Sequence, residues 1–513
     1  MKNIVIVGAG SAGWMTALFV KKLFPNDNVT VIGSSEIGIL GAGEGTVPGF
    51  IEFLNSIDIT IVDLIKNCKA TIKNGVKFVN WNGTNDVYYH PFGSVPKLDK
   101  TFFDNKFTFF AKNQTDYSIL DYICNGKDIN ELNLCSINMN ANKVPFISNK
   151  EGITGLAGFA LHFDANLVAE YFKEVATSRN INYIDDIITG FNQQDNGDVT
   201  SIQLKNQIVD CDFVFDCSGF KRLIIGDLFK TPWKDVKDRL PVKRALPFFL
   251  PPDKDIECYT TATAMKNGWV WKIPLQHRSG CGYLFDSNYC SDEEAIEEIE
   301  QKFGKVTIPR AFDFNAGHYT KYWVNNCISI GLSSGFLEPM EATSIWTSTF
   351  MLNQLVNYVH TIHDRDQFLV DEYNANCDEV FEQTVDFLQL HYLTQRQDSK
   401  FWRDYRNNLV LSDKLKNMMR SWESRLPLES DCKVTAGSFW FTPISWIYIM
   451  DGTKNFQTLA LKDYKNSVQH FYPDYENKLV RLKDILYNYN QKCSTHNSFI
   501  QECIANEIGE TDE

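Results

Sequence analysis

The amino-acid sequence predicts an α/β fold whose last third is mostly helical. The first thirty residues have the pattern of a strand, a helix and a second strand, with a glycine-rich turn after the first strand. Two later apolar runs, at 214–216 and 327–332, each lead into a turn of small residues, as buried strands do. From residue 343 onward the pattern is largely helical. These observations predict a sheet covered by helices, opened by a Rossmann-type unit.

The opening unit has clear boundaries in the sequence. Residues 2–7 predict the first strand, and residues 12–24 predict the helix, which Pro25 ends. Residues 29–32 predict the second strand. A β-α-β unit of about thirty residues is the usual frame of a dinucleotide site.

The turn between the first strand and the helix has the spacing G-x-G-x-x-G. Gly8 permits the tight turn, Gly10 lets the backbone approach a pyrophosphate, and Gly13 lets the helix pack closely on the strand. Ser11 and Ala12 begin the helix, whose positive end would face the phosphates. A glycine turn without a ligand is the alternative. The complete strand–turn–helix–strand context favours dinucleotide binding.

The acidic residue usually found at the end of the second strand is absent. Its position is Gly33, so Ser34, Ser35 or Glu36 are the candidates for the ribose hydroxyls. The chain has one such fingerprint. A flavoprotein that also docks NADPH in its own second nucleotide fold would usually show two.

The remaining elements follow from apolar period and turn residues. Further strands are predicted at 77–80, 87–90 and 183–188, and further helices at 51–71, 165–179, 344–362, 371–395 and 411–426.

Composition excludes several classes of protein. The chain has 513 residues, 50 Lys+Arg and 64 Asp+Glu, and its net charge of −14 argues against nucleic-acid binding. No apolar run reaches the roughly 18 residues of a membrane span, and the first residues predict a strand and not a signal peptide. The 13 cysteines are scattered without zinc spacing, and His360 with His363 lacks a third ligand, so no metal site is predicted. Reduced cysteines and a cytoplasmic location are the expectation.

The string W-x-W-x-I-P, which contains Trp269 and Trp271, is more specific than any pattern above. Two such tryptophans can be ordinary core, but the string resembles the signature of the flavin-dependent tryptophan halogenases. Segments similar to that family occur in the same order at 8–14, 41–48, 77–81, 90–96, 162–165, 216–219 and 323–339. The resemblance covers roughly residues 1–428.

The resemblance implies an FAD-binding, monooxygenase-like fold. Its module would span 1–350, with substrate-facing insertions at roughly 51–150 and 225–320, and a helical cover over 351–513 would pack with it as one unit. In the family, reduced FAD and O2 oxidise a halide ion to hypohalous acid, which halogenates an electron-rich aromatic compound at a separate site. The resemblance also implies a separate flavin reductase. The substrate, the halide preference and the oligomeric state, monomer or homo-oligomer, stay open.

The resemblance also assigns candidate catalytic residues. Lys73 matches the family's catalytic lysine, which can donate a hydrogen bond to the oxygen of hypohalous acid or form a haloamine. Glu341 matches a carboxylate that can accept a proton from the intermediate or orient the hypohalous acid. From spacing alone, Lys69, Lys73 and Lys77 could equally form a solvated basic face of one helix. Likewise, Glu341 could simply be an acid at a helix start.

The other assigned residues would bind ligands. Thr343 and Ser344 match the halide-binding pair, but this chain has Glu341-Ala342-Thr343-Ser344 where the family commonly has E-S-T-G, so chloride preference is in question. His90 and Phe92 match residues that sandwich an indole, although a buried loop anchor is an equal reading. Residues matched to the flavin site are Gly43, Glu44, Ile188, Leu332 and Ile345, the apolar ones being also ordinary core candidates.

Two other functions remain open in the sequence. A flavin-dependent aromatic hydroxylase or epoxidase would use the same cofactor, and the match of Lys73 and Glu341 argues against it. A non-catalytic flavin-binding protein is the alternative of another class.

Overall fold

The computed structural model describes residues 2–36, 43–95, 117–149, 152–435, 441–472 and 474–505. The chain forms two compact units, each assembled from three separate stretches of sequence. Unit 1 consists of Met1–Ala70, Leu161–Lys237 and Asp313–Glu382, and unit 2 of Thr71–Ala160, Asp238–Phe312 and Gln383–Glu513. The division at residue 350 that the sequence suggests stays a prediction.

Unit 1 is built on a six-stranded sheet. Its strands, in spatial order, are Asn182–Asp185, Asn28–Gly33, Asn3–Val7, Phe213–Asp216, Cys327–Ser329 and Trp323–Val324. All neighbours are parallel except the last pair. The first strand is therefore central, and its carboxyl end meets the glycine turn, where ligands bind in sheets of this type. The predicted Rossmann-type α/β fold is confirmed.

Helices and small sheets complete unit 1. Its helices are Ser11–Leu23, Gly49–Ser56, Ile61–Asn67, Ala165–Ser178, Thr343–Leu355 and Thr361–Asp364, with short 3-10 or π turns at Gly219–Lys221, Leu223–Leu228, Gly331–Ser333, Pro339–Glu341 and Val356–Tyr358. Its smaller strands are Glu44–Gly45, Ile188–Gln193, Val199–Leu204, Ile208–Asp210, Trp233–Asp235, Gly317–Tyr319 and Gly335–Phe336. The helix Gln367–His391 begins in unit 1 and ends in unit 2.

Unit 2 contains six neighbouring strands of a larger, mostly antiparallel sheet. In spatial order they are Arg244–Leu250, Ser279–Phe285, Gly268–Pro274, Thr260–Ala264, Gly75–Val79 and Val87–Pro91. Shorter strands are Thr71–Lys73, Phe146–Asn149 and Gly152–Gly155. Its helices are Tyr117–Cys124, Leu134–Ala141, Asp292–Phe303, Lys400–Asn407, Asp413–Trp422, Glu429–Cys432, Pro443–Gly452, Thr458–Val468, Tyr475–Lys492 and His496–Ala505, with 3-10 turns at Ile129–Leu132 and Gln469–Phe471.

The segment 51–71 is mostly helical, as predicted, but it forms two helices and not one. The first of two helices ends at Ser56, and Thr60 begins the second with a capping box in which Asp63 takes part. A strand starts at Thr71. A capping box satisfies the free amides of a new helix start, so it divides what the apolar period alone would join.

The predicted strand over 183–188 is also two strands. Asp186 lies between them, and its side chain accepts hydrogen bonds from the amides of Ile187 and Asn206. These bonds replace ladder pairing at the break. The helix expected over 344–362 ends at Leu355 and continues only as short turns.

Candidate active site

The glycine turn has the shape that a dinucleotide requires. Gly8 has a φ of +120°, and a Cβ there would lie 2.1 Å from the Cys217 carbonyl oxygen. A Cβ on Gly13 would lie 1.9 Å from the Gly8 carbonyl oxygen. At Gly10 a Cβ would meet nothing within 4 Å among the described residues. Two glycines therefore permit close packing, and Gly10 borders open space at a helix N-terminus, where a pyrophosphate fits.

The first helix, which begins at Ser11, also lies close to a second glycine turn of unit 1, at Gly331. Gly331 has a φ of +75°, and a Cβ there would lie 2.7 Å from the Ala12 Cβ and 3.7 Å from the Ser348 Oγ. Leu332 follows this glycine, and Ile345 is buried one turn before Ser348. The structure thus brings the segments of Leu332 and Ile345 to the start of the fingerprint helix.

Position 33 has a steric reason for lacking an acid. A Cβ on Gly33 would lie 2.3 Å from the Ala9 Cβ, so only glycine fits beside the fingerprint. On the adjacent strand, Asp185 is paired with Gly33, and its carboxylate accepts a hydrogen bond of 2.8 Å from the Ser35 amide. Hydrogen bonds from the Ser35 backbone and side chain lower the pKa of Asp185. The Ser34 hydroxyl accepts from the Glu36 amide at 3.3 Å.

Asp185 is the polar residue at this edge that sequence reasoning missed. Its position beside Gly33 follows from the pairing of the first sheet's outer strands, which are about 150 residues apart in sequence. No signal in the sequence marks it, because Asp185 lies inside the single strand predicted over 183–188, whereas the observed strand ends at Asp185.

Gly43 and Glu44 lie at the edge of the described chain after residue 42. Gly43 has a φ of +105°, and Glu44 pairs with Phe163 in a short antiparallel ladder. Burial and the nearby Asp164 carboxylate raise the pKa of Glu44 to about 7.

Ile188 lies in the same unit. It packs against a hydrophobic core cluster that includes residues of the first strands, so its contacts are ordinary core contacts.

Glu341 and the predicted halide pair form one continuous turn of unit 1. Glu341 ends the short turn Pro339–Glu341, Ala342 takes a left-handed conformation at φ +57°, and Thr343 begins a 13-residue helix. Glu341 and Thr343 are both buried. The Thr343 hydroxyl has no hydrogen-bond partner among the residues that the structure describes. The Ser344 carbonyl accepts from the Ser348 hydroxyl.

A buried hydroxyl donor and free helix-start amides at the same point are suited to an anion. The side chain at position 342 must accept a left-handed backbone, which costs an alanine about 1 kcal/mol relative to glycine. This turn is therefore held by its surroundings and not by local preference.

Lys73 is the last residue of a three-residue strand of unit 2, and its side chain is 1% exposed. The basic helix face suggested by spacing is therefore absent, since Lys77 lies in the following strand. The Lys73 ammonium nitrogen lies 5.3 Å from the centroid of the Phe92 ring. The Phe92 amide donates to the Asn74 carbonyl at 2.7 Å, which keeps the ring and the ammonium group together.

An aromatic cluster surrounds His90 in the same unit. His90 is buried, and its ring centroid lies 5.6 Å from that of Phe387 and 6.5 Å from that of Phe441. Phe387 and Phe441 are stacked at 3.6 Å. These two phenylalanines were not predicted from the sequence, because helix and loop residues so distant from His90 give no local signal.

The tryptophans of the W-x-W string are core residues in unit 2. Trp269 is fully buried and donates its indole N–H to the Tyr392 hydroxyl at 3.2 Å. Trp271 lies over Gly282, where a Cβ would be 2.0 Å from the indole ring. Both side chains thus stabilise the sheet, whatever else they do.

Other kinds of site are less well supported. Within the described ranges, no group of three or more His, Cys, Asp or Glu side chains is placed to hold a metal ion. All 13 cysteines lie in those ranges, and they are buried free thiols. No helix in the described part of the chain is long and apolar enough to cross a membrane.

The fold and the glycine turn define an enzyme fold of the dinucleotide-binding oxidoreductase class. The family model for tryptophan halogenases matches residues 3–466. The chain is 31% identical to tryptophan 6-halogenase ThaL of Streptomyces albogriseolus over 458 residues, which cover 83% of each chain. Among solved structures, it superposes on Tar14, a tryptophan C-6 flavin-dependent halogenase from taromycin biosynthesis, with a TM-score of 0.87 and 26% identity over 99% of this chain and 100% of that one. It superposes on BrvH, a flavin-dependent halogenase from Brevundimonas sp. BAL3, with a TM-score of 0.82 and 28% identity over 98% and 99%.

The chain belongs to the tryptophan halogenase family, and it is a flavin-dependent halogenase. The alternative of a non-catalytic flavin-binding protein is therefore wrong.

Proposed function

We propose that this halogenase uses reduced FAD, O2 and a halide ion to halogenate a neutral, electron-rich aromatic compound such as an indole or a phenol. The observation that carries the proposal is Lys73, an almost fully buried ammonium group beside an aromatic ring. Burial of a lysine side chain is rare, because desolvation of its charge is costly, so a buried lysine indicates a specific role at that position. When bound, reduced FAD would supply two of the electrons that reduce O2. The halide would supply the other two and would thereby be oxidised to hypohalous acid.

Unit 1 would hold the cofactor and the halide. The pyrophosphate fits against the amides after Gly10, and Ser34 with Asp185 is placed at the end of the second strand for the ribose. The halide would accept hydrogen bonds from the Thr343 hydroxyl and the helix-start amides near Ser344, since that hydroxyl has no other described partner. No cationic side chain is then needed for the halide.

Lys73 would donate a hydrogen bond from its ammonium group to the oxygen of hypohalous acid. That bond would polarise the oxygen–halogen bond, so that the oxygen leaves as hydroxide with the bonding electron pair while the halogen forms a bond to a ring carbon. The buried position strengthens this interaction relative to one in water.

Glu341 would accept the proton that the ring carbon loses after halogenation. Glu341 is buried in the short turn that precedes the helix, and a positioned carboxylate can act as a general base. The halogen replaces the proton on the ring carbon, and that proton combines with the hydroxide. The products are therefore the halogenated ring and water. The assignment of Lys73 and Glu341 to one reaction rests on the family resemblance of their two segments.

His90 and Phe92 would hold the substrate ring, with Phe387 and Phe441 extending the aromatic surface beside His90. Flat rings pack well against such a surface, and an ionic amino-acid group would need paired charges to be desolvated there. ThaL and Tar14 are tryptophan halogenases, and BrvH is described as a flavin-dependent halogenase. In this chain we expect neutral indoles and phenols to be better substrates than free tryptophan.

The chain would receive reduced flavin from a separate reductase in the cytoplasm. One dinucleotide fingerprint occurs in the sequence, and it is assigned to FAD, so a second site for NADPH is not proposed.

The test is mass spectrometry of a panel of indoles and phenols incubated with FAD, a flavin reductase, NADH and chloride, bromide or iodide. A halogenated product from wild type and none from Lys73→Ala is the expected result. Lys77→Ala is the matched control, since Lys77 lies in the next strand, with its ammonium nitrogen 5.4 Å from the Tyr259 ring centroid. A hydroxylated product, or equal halogenation by Lys73→Ala, would overturn the proposal.

A further inference from the structure

His496 is the first residue of the last described helix, and its side chain is completely buried in unit 2. Its Nε2 accepts a hydrogen bond of 2.9 Å from the Ile72 amide. Its Nδ1 lies 2.9 Å from the Ile256 carbonyl oxygen, to which it donates. One neutral tautomer makes both bonds, with the proton on Nδ1. Burial lowers the pKa of His496 to about 4, so the ring stays neutral near pH 7.

The Ile72 amide immediately precedes Lys73 in the chain. Two further hydrogen bonds fix the residues on either side of the Ile72–Lys73 pair to parts of unit 2 that are distant in sequence. The Thr71 hydroxyl donates to the Pro274 carbonyl, and the Asn74 amide donates to the Cys258 carbonyl, both at 2.7 Å. The imidazole of His496 thus accepts a hydrogen bond from the backbone amide of the residue that directly precedes Lys73.

The segment that carries His496 is itself firmly attached to unit 2. The Ser494 amide donates to the Phe146 carbonyl at 3.0 Å, and the His496 amide donates to the Asn142 carbonyl at 3.2 Å. The rings of Phe146 and Phe499 are stacked at 4.5 Å. The Nε2 atom of His496, which accepts the hydrogen bond from the Ile72 amide, is therefore held in a fixed position relative to the strand of Lys73.

We propose that His496 is a positioning residue that sets the strand of Lys73, and with it the distance of the ammonium group from Phe92. This inference rests on the proposed role of Lys73 in halogenation. Without the imidazole acceptor, a buried backbone amide loses its partner, and the strand must move to satisfy it. Displacement of a catalytic group by about 1 Å can cost about 100-fold in rate.

Two substitutions separate the two hydrogen bonds of the ring. In His496→Gln, the side-chain amide oxygen can occupy the place of Nε2 and still accept from Ile72. In His496→Asn, the shorter amide can replace only Nδ1, so the bond to Ile256 is kept and the Ile72 amide loses its acceptor. Asn497→Ala is the matched control, because it removes bonds to the Ile256 amide and the Lys254 carbonyl but touches no residue of the Lys73 strand.

The readout is haloindole formed per flavin oxidised, with indole and bromide as probes, beside the rate of flavin oxidation by O2. Hydrogen exchange of the peptide that contains residues 71–73 reports directly on the Ile72 amide. We expect His496→Asn to lower the product ratio about 10- to 100-fold and to speed exchange of this peptide. His496→Gln and Asn497→Ala should remain within about threefold of wild type, and flavin oxidation should be unchanged in all three.

Several outcomes overturn the inference. One is an unchanged product ratio in folded His496→Asn, and another is an equal loss in Asn497→Ala. If His496→Asn does not fold, a large loss of product ratio in folded His496→Gln overturns it instead. Lys73→Ala is measured in parallel: normal halogenation there refutes the proposed function, whereas loss there with no loss in His496→Asn refutes only the positioning role.

Discussion

Acidification should destabilise the wild-type protein more than the His496→Gln variant. The imidazole is neutral in the folded chain, with a pKa near 4, against an ordinary value of 6.5. As pH falls below 6.5, the His496 imidazole becomes protonated in the unfolded chain, whereas in the folded chain it becomes protonated only near pH 4. The stability that neutral His496 contributes is thus complete above pH 6.5 and is lost progressively down to pH 4.

The size of this effect follows from the two pKa values. A unit of pKa corresponds to about 1.4 kcal/mol, so the loss is about 2 kcal/mol at pH 5 and about 3 kcal/mol at pH 4. Other groups with shifted pKa values, such as Glu44 near 7 and Asp451 near 6, titrate in both proteins. Their contributions cancel in the difference between wild type and variant.

Urea unfolding followed by tryptophan fluorescence at pH 7, 6, 5 and 4 measures this difference. We expect the free energy of unfolding of the wild type to fall relative to His496→Gln across this range. A difference that is independent of pH would show that His496 is not a buried neutral imidazole. A difference of opposite sign would mean that the ring is charged in the folded chain, and the hydrogen bond from Ile72 would then be misassigned.

Four further predictions concern the cofactor, the halide and the substrate. Gly13→Ala should lower the melting temperature, because overpacking against Gly8 costs about 1–3 kcal/mol. Gly10→Ala should leave the melting temperature unchanged and weaken FAD binding. The same melting temperature and the same FAD affinity in both variants would contradict this prediction. Thr343→Val keeps the side-chain shape and should raise the halide KM without loss of stability; an unchanged halide KM would show that the hydroxyl does not bind the halide. In the wild type, competition between equal halide concentrations should show that bromide or iodide is used at least as well as chloride. Free tryptophan should have a lower kcat/KM than simple indoles, which efficient single-position halogenation of tryptophan would refute. Without a reductase, the protein should not consume NADPH at a catalytic rate, as followed by nicotinamide absorbance.

Local patterns predicted the parts of the fold that depend on neighbours in sequence. The strand, glycine turn and first helix depend on residues within about thirty positions, so apolar period and glycine spacing are sufficient for them. The segment 51–71 is mostly helical, as predicted, but it contains two helices, because the capping box of Thr60 and Asp63 begins the second. At that point the capping side chain determines where a helix begins, although the apolar spacing continues without interruption.

The environment of the candidate site could not be predicted in the same way. The family resemblance selected Lys73, but its burial depends on backbone partners such as Cys258 that are far away in sequence. Asp185 was missed because strand order, and not spacing, places it beside Gly33. The stacking of Phe387 on Phe441 likewise joins two elements that no periodic pattern connects.

The distance in sequence between Ile72 and His496 has a consequence for synthesis of the chain. The two residues are 424 positions apart, so the strand of Lys73 leaves the ribosome long before its imidazole partner is made. The segments of unit 1 are all complete by Glu382. A nascent chain can therefore complete all the segments of unit 1 before the imidazole partner of the Ile72 amide has been made. The order of synthesis thereby fixes the strand of Lys73 only after residue 496 has left the ribosome.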